Sequence, residues 1–153
     1  MENPFGIKVR KCKKSDYQFV KSITEKTLFP YVKQYYSQSE MLGFKKRSKE
    51  RFEDDWSKIK IVMKGKRRIG FYQVLDDPNV KGAIYVRRIF FSPAYQGKGI
   101  GRFLMGSFEK PGYKTIWLQT WDNNPAVKFY RKCGYKVIAK KNHKYTMQKL
   151  IRA

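Results

Sequence analysis

Apolar residues in the first part of the chain recur three or four positions apart, which is the period of an α-helix that buries one face. Ser15 or Asp16 can cap such a helix at its start, and Pro30 either ends it or begins the next one. The first predicted helix is therefore a segment with an apolar face that carries Phe19, Val20, Ile23 and Leu28.

Two further helices are predicted in this region, at residues 31–42, stopped by Gly43, and at residues 48–56. The second mixes basic residues with four acids, which are Glu50, Glu53, Asp54 and Asp55. We expect these acids to form an ordinary solvated helix face. Alternatively, they would receive a cationic substrate such as a polyamine or lysine. Together the helices predict an aromatic-rich helical layer.

Beyond residue 58 the apolar period shortens to two, which indicates β-strands that bury one face. The first two strands of this region form a predicted hairpin around a turn at 65–68, and helices are predicted at 99–108 and 125–133. The predicted strands occupy residues 59–63, 69–75, 83–91, 115–120, 135–139 and 145–151, after an initial strand at 7–10. This order of elements predicts an α+β fold around one mixed sheet.

Length and composition fit one domain. The chain has 153 residues, of which 41% are hydrophobic and 16% aromatic, so we expect a single domain over residues 1–153 with one sizeable core. The chain contains neither a leader-like nor a membrane-length apolar run, which predicts a soluble, non-exported, cytoplasmic protein. Cys12 and Cys133 are too few for a zinc knuckle or a disulfide framework. We expect reduced thiols and no metal site.

The formal net charge of +23 predicts attraction to polyanions, such as nucleic acid, ribosomes, acidic protein surfaces or a phosphorylated cofactor. After Lys110 there are ten lysines and arginines against the single acid Asp122, so that part of the chain should carry a positive surface. Lysines dispersed in this way also form ordinary solvated faces.

The densest candidate chemistry follows the strand at 83–91, where a glycine-rich turn opens a helix. This turn consists of Gln96, Gly97, Lys98, Gly99, Ile100 and Gly101, and Arg102 follows it. Glycines let backbone N–H groups approach a bulky anion, and a helix N-terminus supplies unpaired donors. Lys98 and Arg102 add positive charge. The turn therefore predicts a pyrophosphate seat, with a purely structural connection as the alternative. The turn does not match the P-loop pattern GxxxxGK[ST], and Arg102 stands where the dinucleotide-binding pattern GxGxxG needs a glycine. Nucleotide hydrolysis and dinucleotide binding are therefore less favoured.

A second motif lies one strand later, at the start of the next helix. With it, the sequence resembles the GNAT N-acetyltransferase superfamily. The family's cofactor motif (Q/R)xxGx(G/A) is met by Gln96, Gly99 and Gly101. Its following NxxAxxxYxxxG(F/Y) pattern is met by Asn123, Ala126, Tyr130, Gly134 and Tyr135. The resemblance is sharp over about residues 83–139, and two motifs in the right order are more specific than either one.

The resemblance implies an α/β/α sandwich. In this fold, helices flank a central mixed, mostly antiparallel sheet of about six to seven strands with splayed middle strands. It implies acetyl-CoA as the cofactor, with the pyrophosphate held by residues 96–102. The pantetheine arm would pair with the backbone of Ile89, Phe90 and Phe91.

The second motif carries the remaining site residues that the resemblance implies. Asn123, with the adjacent Asn124, would bond the pantetheine arm. Tyr130 would be both a cofactor contact and the general acid near the sulfur. A phenol with an ordinary pKa of about 10 stays protonated at neutral pH and can protonate a departing thiolate.

The family's usual proton acceptor is missing from the third strand of the main sheet region. Many relatives place a carboxylate there, whereas this chain has Arg87 and Arg88 and no acid between Asp77 and Glu109. At pH 7 a lysine-type amine costs about 4–5 kcal/mol to deprotonate and an α-amine about 1 kcal/mol. Arginines that faced the cleft would lower the pKa of an incoming amine further. We therefore expect an acceptor amine of low pKa, and we expect His143, the other candidate base, to be an exposed bystander in a turn.

The sequence thus predicts an N-acetyltransferase that moves an acetyl group from acetyl-CoA directly to a primary amine, on a peptide or protein N-terminus or on a small molecule. Two alternatives stay open. One is a basic module that binds nucleic acid or ribosomes, and the other is a toxin-like acetyltransferase of aminoacyl-tRNA. The acceptor does not follow from the sequence, nor does the choice between monomer and homodimer.

Overall fold

A computed structural model describes residues 3–151 and shows one mixed sheet with five α-helices in that range. The strands are β1 Ile7–Lys11, β2 Lys60–Lys64, β3 Arg67–Asp76, β4 Ala83–Phe91, β5 Thr115–Trp121, β6 Lys136–Lys141 and β7 Lys144–Leu150. The helices are α1 Tyr17–Thr27, α2 Phe29–Val32, α3 Gln38–Asp55, α4 Ile100–Ser107 and α5 Ala126–Lys132. The strand order is β1-β2-β3-β4-β5-β7-β6.

The described chain falls into two compact units. One contains the residues up to Gln73 together with Arg88–Lys98, and the other contains Val74–Arg87 together with the residues from Gly99 onward. The strands β3 and β4 each contribute to both units. The expectation of a single domain over residues 1–153 stays a prediction.

The first unit is built on β1, β2 and the first part of β3, which pair antiparallel. The predicted hairpin is present, with Lys64 opposite Arg67 and Gly65 in the turn at a φ of +59°. The helices α1 and α3 cover this part of the sheet because their apolar residues repeat at helical spacing. The resulting core consists of Cys12, Val20, Ile23, Phe52, Ile59, Ile61 and Phe71.

The prediction of a helix at 31–42 that stops at Gly43 is wrong. After the short α2, the chain turns and α3 begins at Gln38, then runs through Gly43 to Asp55. Ser37 and Glu40 form a capping box in which each side chain accepts a hydrogen bond from the other residue's backbone N–H. An interior glycine costs a helix about 1 kcal/mol, and the neighbouring Phe44 offsets this by packing against aromatic rings of the preceding segment.

The second unit is centred on β5, which pairs parallel with β4 and antiparallel with β7. The parallel pairing runs from Ala83 opposite Thr115 to Val86 opposite Leu118. The strands β6 and β7 form a hairpin. The buried side chains of these strands include Ile84, Val86, Ile116, Leu118 and Met147. The predicted strand at 83–91 is confirmed at both ends, and the helices expected at 99–108 and 125–133 are α4 and α5.

Within residues 3–151, the helices lack the combination of length and apolar character that is needed to cross a membrane.

Candidate functional site

The end of β4 presents the three residues that the sequence implies for the pantetheine arm. Ile89 and Phe91 are buried on one face of the strand, and Phe90 points to the other face, where its ring meets Phe71 edge-on at 5.7 Å. These side chains are therefore core residues. The buried side chains of Ile89 and Phe91 leave the main chain as the part of these two residues that can contact a ligand, whereas Phe90 is half-buried.

Gly70 on β3 is needed for the close approach of the neighbouring strand. A Cβ atom at this position would lie 2.6 Å from the carbonyl oxygen of Phe90 and 2.5 Å from the ring of Phe91. A glycine in a strand interior often marks such an approach. The place of Gly70 inside an apolar strand is the sequence signal for this close approach.

The chain leaves β4 through a short 3₁₀ turn, Pro93–Tyr95, and enters the glycine-rich turn. The side chain of Gln96 donates a hydrogen bond of 3.0 Å from Nε2 to the carbonyl oxygen of Phe91. The first residue of the predicted motif thus fastens the turn to the end of the strand. Gly97 and Gly99 follow with φ values of +72° and +87°, which other residues rarely adopt.

The start of α4 has the features of an anion seat. The first intrahelical hydrogen bond runs from the N–H of Phe103 to the carbonyl of Gly99, so the preceding N–H groups have no acceptor within the helix. No atom lies within 4 Å of the place where a Cβ of Gly97 would be, which leaves open space beside the backbone there. Lys98 and Arg102 are exposed, and the ammonium of Lys98 lies 5.6 Å from the ring of Tyr95. These features fit a pyrophosphate.

Asn123 and Asn124 connect β5 to α5 and are half-buried. The Oδ1 of Asn124 accepts a hydrogen bond of 2.9 Å from the N–H of Ala126, so this oxygen helps to begin the helix. Pro125 stands at the N-cap, so the helix begins at Ala126, one residue after the predicted start at Pro125. Gly134 follows the helix with a φ of +98°, a left-handed conformation that is common for a glycine at a helix end.

Tyr130 is buried near the end of α5 and is 8% exposed. Burial, with a smaller contribution from the neighbouring Cys133, raises the pKa of its phenol far above the ordinary value. The hydroxyl therefore keeps its proton throughout the neutral range. Its ring lies 6.2 Å from that of Tyr135, which is also buried and whose hydroxyl has no hydrogen-bond partner in the described part of the chain.

The two arginines of β4 lie on opposite faces of the strand. Arg88 shares its face with Phe90 and is nearly buried, and its Nη2 donates a hydrogen bond of 2.9 Å to Oε1 of Gln73. The Nε2 of Gln73 in turn donates a hydrogen bond of 2.9 Å to Oδ2 of Asp55. The guanidinium of Arg88 also lies 3.9 Å from Oδ1 of Asp55.

This cluster corrects two expectations, one about the exposure of Asp55 and one about the charge of Arg88. Asp55 is not part of a solvated face with Glu50, Glu53 and Asp54, which are exposed; it is buried and lies close to a buried cation. The charge of Arg88 is therefore offset by a carboxylate. The signal for this was present in β3, where Gln73 follows Phe71 by two residues and so belongs to the face that packs on the helices.

The remaining candidates do not form a reactive centre. His143 is exposed in the turn between β6 and β7, at a φ of +67°, as expected. Cys12 and Cys133 are unbridged and buried, and burial raises the pKa of both thiols, that of Cys12 to about 11. Within residues 3–151, no group of three or more histidine, cysteine, aspartate or glutamate side chains could hold a metal ion.

A family model described as "Acetyltransferase (GNAT) domain" matches residues 55–137, which is more than half of the chain. The chain belongs to the GNAT acetyltransferase family. The resemblance seen in the two sequence motifs is thereby confirmed. GNAT acetyltransferases use acetyl-CoA as the acetyl donor, in agreement with the cofactor that the sequence implies.

Solved structures confirm the GNAT fold. The PaiA N-acetyltransferase of Thermoplasma acidophilum, solved in complex with coenzyme A, is 19% identical, with a TM-score of 0.76 over 94% of this chain and 98% of that chain. Ard1 from Thermoplasma volcanium is 18% identical, with a TM-score of 0.66 over 97% of this chain and 99% of that chain.

A curated relative matches a shorter segment. It is the spermine/spermidine N(1)-acetyltransferase of Bacillus subtilis strain 168, which is 29% identical over 72 residues. The match covers 43% of this chain and 47% of that protein, so the matched segment spans about half the length of the relative.

Proposed function

We propose that this GNAT protein is an acetyl-CoA-dependent N-acetyltransferase that transfers the acetyl group directly to a primary amine on a peptide or protein N-terminus or on a small molecule. The observation that carries the proposal is the backbone geometry between β4 and α4. Gly97 and Gly99 have positive φ values immediately before the unpaired N–H groups of a helix start. This arrangement suits a pyrophosphate, and acetyl-CoA contains one.

Acetyl-CoA supplies an activated acetyl thioester when it is bound. We propose that the N–H groups of residues 97–102 and the cations of Lys98 and Arg102 hold its pyrophosphate. Gln96 acts in this proposal by fixing the turn to Phe91. The main chain of Ile89, Phe90 and Phe91 pairs with the pantetheine arm, and Asn123 and Asn124 bond it.

Tyr130 is the proposed general acid. Its buried phenol holds a proton on the hydroxyl oxygen at neutral pH because ionisation in an apolar environment is unfavourable. In this proposal it gives that proton to the departing thiolate, although the raised pKa makes it a weaker acid than an exposed tyrosine. General acid catalysis of this kind contributes about 10²- to 10⁴-fold to a rate.

The acceptor is proposed to be an amine of low pKa. The strand that carries the base in many relatives bears Arg87 and Arg88 here, and the carboxylate nearest to Arg88, that of Asp55, neutralises this cation. An α-amine costs only about 1 kcal/mol to deprotonate at pH 7, so it needs less help from the protein than a lysine-type amine does.

A thiol-release screen tests this function. Acetyl-CoA is incubated with the protein and with peptides, small primary amines, polyamines or aminoacylated tRNA, and the free thiol is measured. We expect acceptor-dependent release with an acetylated product detectable by mass spectrometry. Failure to bind acetyl-CoA at all would remove the proposal. Release without an acetylated amine would show thioester hydrolysis in place of transfer.

A second candidate function rests on the exposed cations of α5 and β6. These exposed residues are Lys128, Arg131, Lys132, Lys136, Lys140 and Lys141. Such a surface suits a polyanion, which would support a module that binds RNA or ribosomes, or an acetyltransferase of aminoacyl-tRNA. Steeply salt-dependent RNA binding without acetyl-CoA binding would favour the module. Acetylation of charged tRNA would favour the enzyme. We propose a cytoplasmic location for either, supported by the two unbridged thiols.

A further inference from the structure

A groove on the first unit combines an apolar floor with a basic rim. It runs between α1 and α3, with Arg88 of β4 at one side. Its apolar and aromatic lining comes from Tyr17, Val20, Phe29 and Phe52. The groove is open to solvent, so a ligand with apolar groups could bury them against these side chains.

Positive charge dominates the rim. Lys21, Lys45 and Lys49 line the groove, and the acid on its lining is Glu25. Glu25 forms an ion pair of 3.4 Å with Lys21, which neutralises that cation. The ammonium of Lys45 lies 6.0 Å from the centre of the Phe29 ring. Lys49 has no ion-pair partner in the described part of the chain. Lys45 and Lys49 of α3 are both exposed, so their ammonium groups are available to a ligand that enters the groove.

The groove continues beyond this point. Tyr17, Lys49 and Phe52 also line a second, adjoining groove, whose other lining residues are Lys14, Glu53 and Trp56. The ammonium of Lys14 lies 5.8 Å from the Trp56 ring. Together the two grooves form a furrow with aromatic walls, whose lining carries Lys14, Lys21, Lys45 and Lys49 against the acids Glu25 and Glu53. A furrow of this kind suits a chain-like ligand better than a compact one.

One end of the furrow is linked to the proposed cofactor segment through the sequence. Arg88 lines the groove and is followed directly by Ile89, the first residue proposed to pair with the pantetheine arm. Gln73 and Asp55 hold the guanidinium of Arg88 in place. A ligand in the groove therefore contacts the same strand that is proposed to carry the acetyl donor.

We propose that this furrow binds an acidic peptide, and that the acceptor of the acetyl group is the α-amine of a polypeptide with an apolar first residue and acidic residues after it. The acceptor part of the inference rests on the proposed acetyltransferase function. Charge complementarity selects the peptide: Lys45 and Lys49 attract its carboxylates, and the aromatic walls receive its apolar side chain. The same cations repel a polyamine.

Direct binding tests the furrow without reference to acetyl transfer. A peptide with leucine first and aspartate and glutamate after it, labelled at its C-terminus so that the amine stays free, is titrated with the full chain by fluorescence anisotropy. We expect the double variant Lys45→Glu/Lys49→Glu to weaken binding about tenfold or more. Lys46→Glu is the matched control, since Lys46 is exposed on the same helix and lines neither groove. It should change the Kd less than threefold.

Three binding results would overturn the inference. The first is equal weakening by Lys46→Glu. The second is equal affinity for a peptide with lysines in place of the acids. The third is displacement of the peptide by single-stranded RNA at matched charge concentration, which would show a general polyanion surface.

Transfer kinetics then separate the two proposals. With acetyl-CoA, we expect kcat/KM to be highest for the acidic peptide, lower for its basic counterpart and lowest for spermidine, and Lys45→Glu/Lys49→Glu should reverse the order of the two peptides. If acetyl-CoA does not bind, the acetyltransferase function fails while the anisotropy result still decides the furrow. If transfer occurs with spermidine or the basic peptide preferred, the function stands and the furrow inference is wrong.

Discussion

The side-chain amide of Gln73 accepts a hydrogen bond of 2.9 Å from the guanidinium of Arg88. The same amide donates to Asp55, so one neutral side chain joins a buried cation to a buried anion. Arg88 of β4 is thus held in place by a carboxylate from α3. Buried charges persist only when they are paired and hydrogen-bonded, and Gln73 supplies bonds to both partners.

Gln73→Leu should lower the free energy of unfolding by about 1–3 kcal/mol, because Arg88 and Asp55 would each lose a hydrogen bond in a buried place. Urea unfolding followed by circular dichroism measures the change. Gln119→Leu is the control, since Gln119 is exposed on β5, and it should change stability by less than about 0.5 kcal/mol. Equal effects of both variants would contradict a special role of Gln73.

Asp16 should make stability depend on acid pH. It is buried, and it accepts hydrogen bonds from Arg10, from Arg68 and from the N–H of Lys13. The bonds from Arg10 hold its pKa well below the ordinary value, against the opposing effect of burial. A carboxylate with a depressed pKa stabilises the fold above its unfolded pKa of about 4, and this contribution is lost as the pH falls further.

We therefore expect Asp16→Asn to cost about 2 kcal/mol at pH 7 and to lose less stability than the wild type between about pH 4 and pH 2. Denaturant unfolding across this pH range measures both effects. Asp54→Asn, at an exposed position on α3, is the control and should leave the acid dependence unchanged. Parallel pH profiles for wild type and Asp16→Asn would show that the buried carboxylate is not the group that titrates.

Tyr130→Phe should lower kcat by about 10²-fold or more while the Kd of acetyl-CoA changes less than about threefold, because the ring stays and only the proton donor is lost. Tyr135→Phe is the matched control in the same region. Its hydroxyl is buried without a hydrogen-bond partner in residues 3–151, so we expect unchanged kcat and equal or higher stability. Steady-state kinetics and calorimetry give these values, and an unchanged rate for Tyr130→Phe would remove its role as the acid.

Gly97→Ala should weaken acetyl-CoA binding about tenfold or more. A non-glycine residue at a φ of +72° costs about 1–2 kcal/mol, and the backbone would rotate its N–H away from the pyrophosphate. Gly106→Ala is the control, because Gly106 lies inside α4 with open space around it; it should keep the affinity and gain up to about 1 kcal/mol of stability. The ligand-induced rise in Tm measures affinity, and equal rises for both variants would contradict the assignment.

The sequence was sufficient for the parts of the fold that local chemistry determines. The strand at 83–91 and the turn at Gln96–Gly101 are bounded by proline and glycine, so their limits follow from backbone geometry. The helix stop at Gly43 was wrong because the intrinsic cost of one glycine is small compared with the packing of an entire helix. The capping box at Ser37 was the better signal.

The buried cluster could not be predicted in the same way. Asp55 follows four exposed acids on α3, and composition gives no reason to separate it from them. Its burial depends on long-range partners, Gln73 and Arg88, which only the folded sheet brings to α3. Gln73 lies two residues after Phe71 on β3, so the strand pattern indicates that its amide faces the core. The sequence does not indicate which groups bond to that amide.

Calorimetric titration of the unmodified chain with acetyl-CoA shows whether the turn at Gln96–Gly101 binds this cofactor, and it needs no knowledge of the acceptor. We expect saturable binding of one acetyl-CoA per chain, with similar affinity for coenzyme A and much weaker binding of pantetheine, which lacks the pyrophosphate. No heat of binding at millimolar acetyl-CoA, or equal affinity for pantetheine, would contradict it.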